Sequence, residues 1–174
     1  MKKDYAFGIA SLNIIIFFVV FYNNNSANNS TQEKISDKLG IDVSGGTEIS
    51  QNDTHGGFLG DGMYFASIGF SDNTVLNQIS ENSNWRVTPL TENLSMLVYG
   101  TISDNGRFGP YLTNENGKAV IPNIQKGYFY FVDRHSQSTN RHDDTNVLNR
   151  HSFNFTFAIY DTDTHILYYV EYDT

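Results

Sequence analysis

The stretch SFNFTFAIYDTDTHILYYVEYDT, residues 152–174, decides the fold. Phe153, Phe155, Phe157 and Ile159 alternate with Asn154, Thr156, Ala158 and Tyr160, a period of two that an extended strand converts into one apolar face. Asp161-Thr162-Asp163-Thr164 carries the short polar side chains that close turns through nearby backbone groups. His165–Tyr172 (HILYYVEY) then returns as the partner strand, so the segment reads as an antiparallel hairpin. Just upstream, Gly127–Asp133 (GYFYFVD) supplies a further aromatic strand.

Toward the N-terminus the pattern becomes mixed. Gly62–Phe70 (GMYFASIGF) reads as a strand, and Ser71 is placed to cap a helix over Asp72–Asn82, with Val75, Leu76 and Ile79 on one face. Thr91 is the expected cap of a second helix, whose stripe is Leu94, Leu97 and Val98 and whose stop is Gly100. A short helix at Thr31–Leu39 ends at Gly40. Ser44–Gly62 reads as mostly loop with one strand at Thr47–Ser50, and Ser103–Gly117 as a polar, glycine-rich loop. The expectation is an α+β domain, one antiparallel sheet with two or three short helices on one face.

The first 22 residues speak to location. Lys2 and Lys3 precede an apolar run from Tyr5 to Tyr22 (YAFGIASLNIIIFFVVFY), interrupted only by Ser11 and Asn13. At 1.5 Å per residue this run spans roughly 27 Å, enough to cross a hydrocarbon core. Its stretch from Ile14 to Phe21 is apolar all round, where a soluble helix would keep a polar stripe, and no A-x-A cleavage site follows it. The expected organisation is a signal anchor over 1–22, a polar stalk over 23–31 and one extracytoplasmic domain over 32–174. Lys2 and Lys3 place the N-terminus in the cytoplasm of a single-pass cell-membrane protein. The alternative is secretion after cleavage of a signal peptide.

Charge and composition narrow the function. The chain carries −8 at neutral pH; Lys2, Lys3 and Asp4 contribute +1, which leaves −9 on residues 31–174. An acidic surface repels phosphate backbones, so nucleic acid is not the expected partner. With no cysteine, disulfide and thiolate chemistry are absent as well.

Two polar clusters hold the candidate site residues. Asp53-Thr54-His55-Gly56-Gly57 and Gly60-Asp61-Gly62 set His and Asp among glycines, where backbone can approach a ligand closely. The second cluster runs from Arg134-His135-Ser136 through Arg141-His142-Asp143-Asp144 to Arg150-His151, a long connection between two strands. Arg134 and Arg141 are candidates to clamp an anionic group. Asp53, His55, Asp61, Asp133 and His135 are the candidate ligands of a divalent metal, with His55, Asp61 and His135 as candidate acid–base residues. Each cluster also has a plainer reading, as turn-capping Asp and His or as a self-neutralising surface loop. Asp161-Thr162-Asp163 and Asp143-Asp144-Thr145-Asn146 offer oxygens to calcium but match no twelve-residue calcium loop, and hairpin turn chemistry explains the first of them better. No G-x-S-x-G elbow occurs.

On the strings DTHGGFLGDG (53–62), NWRVTPL (84–90), YFYFVDRHS (128–136) and residues 152–174, the chain resembles a set of small, uncharacterised proteins of Gram-positive bacteria, many with an N-terminal membrane segment. The resemblance covers most of residues 50–174 and implies a shared fold without any activity, ligand or catalytic residue. The expected function is that of a membrane-anchored binding domain for a peptide, an envelope component or a protein partner. Two alternatives stand beside it: a metal-assisted hydrolase in which the Asp53/His55/Asp61 and Asp133/His135 loops converge, and an immunity-type protein that blocks a toxin.

Overall fold

The computed structural model describes residues 31–56, 60–104 and 106–174. The expected membrane segment at 5–22 lies outside them, as does the stalk except for Thr31. Among the described residues no helix is long and apolar enough to cross a membrane. In chain order the elements are α1 (residues 31–39), β1 (Thr47–Asp53), β2 (Gly62–Gly69), α2 (Thr74–Glu81), β3 (Trp85–Val87) and α3 (Glu92–Tyr99). A ribbon of β4 (Thr101–Ser103) and β5 (Gly106–Phe108) follows, then β6 (Gly127–Asp133), a 3-10 turn at Val147–Asn149, β7 (Asn154–Asp161) and β8 (Ile166–Asp173). Six strands form one sheet in the order β1-β2-β8-β7-β6-β3, every neighbouring pair antiparallel. The fold is α+β.

The hairpin that opened the sequence reading lies at the heart of this sheet. Its turn is longer than expected, because His165 leaves the strand and adopts a left-handed backbone with φ 57°. Asp161 closes the turn, accepting from the Asp163 N–H at 2.9 Å and the Thr164 hydroxyl at 2.7 Å.

The helices do not share one face, which corrects the expectation. In β7, Phe155, Phe157 and Ile159 pack with Leu94, Leu97 and Val98 of α3. The intervening Ala158 and Tyr160 pack with Ile35 and Leu39 of α1 and Val75 and Ile79 of α2. Thr156, Ala158 and Tyr160 look like a solvent face in the sequence, yet all are buried. A strand buried on both sides needs cover on both sides. Each large side chain so enclosed contributes about 1.5–3 kcal/mol.

Local signals held at some helix ends and failed at others. Thr91 caps α3 by accepting from the Leu94 N–H at 3.2 Å, and Gly100 ends it at φ 73°. For α2 the N-cap is Asn73 and not the expected Ser71; the Asn73 side chain makes no capping bond, and Asp72 Oδ1 instead accepts from the Thr74 N–H at 2.9 Å. β1 runs three residues past the expected Ser50, and β3 pairs Trp85 with Tyr130 at the far edge of the sheet. The expected Ser103–Gly117 loop begins inside the β4–β5 ribbon.

Candidate functional site

Strand register assembles the candidate site at one end of the sheet, on the face covered by α1. Cross-strand pairing lines up Gly62, Asp173 and Asn154 as an outer row. One step inward lie Asp53, Tyr64, Glu171 and Thr156, and a further step inward Gln51, Ala66, Tyr169 and Ala158. Paired residues share a face, so these rows stack beneath α1. The loop after β1 folds His55 back over the outer row. Gly62 permits this, since a Cβ there would meet the His55 backbone at 2.5 Å.

The outer row is a hydrogen-bonded chain. His55 Nδ1 faces Asp53 Oδ1 at 2.7 Å, and His55 Nε2 faces Asp173 Oδ2 at 3.3 Å. Asp173 Oδ2 also accepts from Arg134 at 2.9 Å, and its Oδ1 accepts from Asn154 Nδ2 at 2.9 Å. The Arg134 guanidinium further donates to the Phe155 carbonyl at 3.1 Å. Burial disfavours the Asp173 anion, but the Arg134 and Asn154 hydrogen bonds and the Arg134 charge outweigh that and hold its carboxyl below the ordinary 3.8. Asp53 is lowered too, first by the backbone N–H of His55.

A folded-state depression of this kind gives stability that is present above the unfolded carboxyl value and lost as pH falls through the folded one. Asp173→Asn is therefore expected to cost about 1–3 kcal/mol at pH 7, as for hydrogen bonds to charged groups. The gap to the native chain should narrow below pH 3.8. Urea unfolding of both proteins across that range is the check, and a gap that stays constant would remove Asp173 from the acid response.

Beside this chain a cleft of about 310 Å³ opens between α1 and the sheet, lined by Thr31, Lys34, Gln51, Tyr64, Tyr169 and Glu171 among others. Glu171 accepts a short hydrogen bond from the Tyr169 hydroxyl and lies 3.6 Å from Lys38 Nζ. The Tyr64 oxygen is closed off from solvent, and among the described residues the Thr31 side chain is the group near enough to offset its burial. Burial pushes this phenol up to about 12, and the Glu48, Asp53 and Glu171 carboxylates push in the same direction. The floor of the cleft is thus aromatic, with the carboxylates of Asp53 and Glu171 and the ammonium of Lys34 in its lining.

The sequence-derived candidates divide. Asp53, His55 and Arg134 meet through Asp173. Asp133 and His135 do not join them, because period two puts Asp133 on the α3 face of β6, where it binds Arg150. His135 Nδ1 accepts from the Gln137 N–H at 3.2 Å and its Nε2 meets Ser152 Oγ at 3.1 Å. Asp61 is exposed on a groove shared with Tyr111 and Tyr172, its carbonyl 3.4 Å from the Gly56 N–H. Arg141 is exposed, and it is its carbonyl that holds the Asp133 N–H at 2.7 Å. Asp144 is buried against Thr91 and Arg86, and Asp143 closes a turn at Thr145.

For a divalent metal, the described residues offer no group of three His, Cys, Asp or Glu side chains in reach of one ion. His55 lines the cleft, and its two ring nitrogens face carboxylate oxygens of Asp53 and Asp173. Sequence reasoning passed over Tyr64, Tyr169, Glu171 and Asp173. The signal was present in HILYYVEYD, where period two places Tyr169, Glu171 and Asp173 on one face. No family model, curated protein or solved structure matches this chain.

Proposed function

We propose that the protein is a membrane-anchored interaction protein, whose domain binds a basic segment of a protein partner in the cleft beneath α1. The anchor rests on the apolar run at 5–22 and the export direction on Lys2 and Lys3. The observation that carries the binding reading is the cleft lining, where the carboxylates of Asp53 and Glu171 lie beside the rings of Tyr64 and Tyr169 and outnumber the one lysine, Lys34. A Lys or Arg side chain entering there meets Glu171 and Asp53 over the faces of aromatic rings, the combination that holds a cation. The net −9 of residues 31–174 draws a basic partner toward that surface. His55, engaged on both nitrogens, is a positioning residue that ties the loop after β1 to β8.

The test is binding of the full chain, in mild detergent, to fluorescent Lys-rich, Glu-rich and uncharged peptides of equal length. The Lys-rich peptide should bind selectively and weaken as salt rises. Glu171→Gln keeps an acceptor for Tyr169 but removes the charge, and should raise the Kd of the Lys-rich peptide about tenfold. Equal binding of all three peptides, or none by any, would refute the reading.

A further inference from the structure

The cleft has an open side. Among the described residues β1 is the edge of the sheet, pairing with β2 alone, and six of its seven residues are exposed. At the opposite edge β3 has only three residues. The phase of the β1 ladder follows from the Thr54 N–H, which donates to the Met63 carbonyl at 3.0 Å. In an antiparallel pair, bonded and non-bonded positions alternate. Thr54 and Asn52 therefore turn their peptide groups toward β2, whereas Asp53 and Gln51 turn theirs outward to the free edge. Gln51 and Asp53 are also the two β1 residues whose side chains line the cleft. The outward peptide groups and the cleft-facing side chains thus belong to the same residues.

Resting on the reading of the cleft as a site for a basic segment, we infer that the segment binds as an added antiparallel β-strand, hydrogen-bonded to Gln51 and Asp53. Residues of such a strand directly opposite Gln51 and Asp53 share their face. Their side chains enter over Tyr64 and Glu171, while the intervening side chains point to the other face. Strand addition of this kind takes affinity from main-chain bonds and specificity from alternate side chains. The chemistry recognised is an extended segment with Lys or Arg at every second position. Charge complementarity selects it: the cleft beside β1 is lined by the carboxylates of Asp53 and Glu171 against the one lysine Lys34, and Glu48 adds a further carboxylate on β1. The bulge between Glu48 and Ser50 shifts the register of the ladder, so the edge that continues in one register with Gln51 and Asp53 is the half of β1 next to the cleft.

The probe is a capped Lys-Thr repeat of about eight residues, long enough to run along β1 at roughly 3.3 Å per residue. Two N-methylated versions are compared on the full chain, one methylated at every Lys and the other at every Thr. The Lys amides point at β1 in the bound strand and the Thr amides away from it. Methylating Lys should weaken binding by about tenfold or more, through loss of main-chain bonds, and methylating Thr should leave it within about twofold. Gln51→Pro removes one outward N–H that has no part in the β1–β2 ladder, and should weaken the unmodified peptide while leaving the thermal unfolding midpoint unchanged. Both methylated peptides binding like the parent would overturn strand addition and leave the charge reading standing. Failure of the unmodified Lys-Thr peptide to bind at all would overturn both. If Gln51→Pro proves unstable, the methylated pair decides alone, since it is measured on the native chain.

Discussion

Arg150→Ala is expected to lower the stability of the chain by about 3–5 kcal/mol, the range for breaking a buried ion pair on one side only. Asp133 is 1% exposed, at the end of β6 on the α3 face. Arg150 Nη1 donates to its Oδ2, and the His135 N–H donates to its Oδ1 at 3.1 Å. Truncating Arg150 leaves a carboxylate enclosed with one backbone donor in place of a cation. Against a total of about 5–15 kcal/mol for a domain, such a loss approaches unfolding at body temperature. The pair also joins the two ends of the long connection from β6 to β7, so its rupture frees the loop as well as the charge. Guanidinium unfolding of the native chain and the variant gives the number directly. Replacing both partners, Asp133→Leu with Arg150→Met, should recover most of it, because no unpaired charge remains. A cost below about 1 kcal/mol for Arg150→Ala would mean that water reaches Asp133 and the pair acts as a surface contact.

This pair shows where the sequence was legible. Asp133 and the arginines of the following loop stand out as chemistry-bearing residues, yet one-dimensional order cannot say on which face of β6 each falls. Once strand β6 is recognised, period two separates Asp133 from Arg134, sending the first to a structural ion pair and the second to the network around Asp173. The hairpin and β6 were legible because aromatic and β-branched side chains alternate there over long runs. β1 was only half legible, since Gln51, Asn52 and Asp53 have poor strand propensity and are held by pairing with β2 at an exposed edge. β3 was hidden for a different reason: three residues, ending just before Pro89, give too short a pattern to read.

The site depended on the same lost information. His55 was visible among its glycines, but its partner Asp173 lies 118 positions away and is brought to it only by the register of β2 on β8. The five residues of the metal reading, joined by spacing alone, fall in different places: Asp53 and His55 meet at Asp173, and Asp133 binds Arg150 on the other face. The acids that matter to the cleft come from two strands far apart in sequence, β1 and β8, and the β8 pair, Glu171 and Asp173, shows the period-two spacing.

Phe157→Ala is expected to cost about 3–5 kcal/mol, the range for truncating a buried phenylalanine. Phe157 is wholly buried in the middle of β7 and belongs to the cluster formed with α3. Its neighbours across the sheet, Phe131 and Val170, are themselves enclosed and have little room to close around the hole. Ile102, 83% exposed on the β4–β5 ribbon, is the control, and its change to Ala should be within about 0.5 kcal/mol of neutral. The two faces of the sheet make the experiment more than a stability measurement. Phe157 points to the α3 side, whereas Tyr64, Glu171 and the cleft are on the α1 side. A cavity on one side of a sheet that stays paired removes packing energy without moving the charges on the other. The folded fraction of Phe157→Ala should therefore bind a Lys-rich peptide with native affinity, at a temperature well below its lowered midpoint. Affinity falling together with stability would instead mean that the α3 core sets the geometry of β2 and β8, making the cleft a property of the whole sheet.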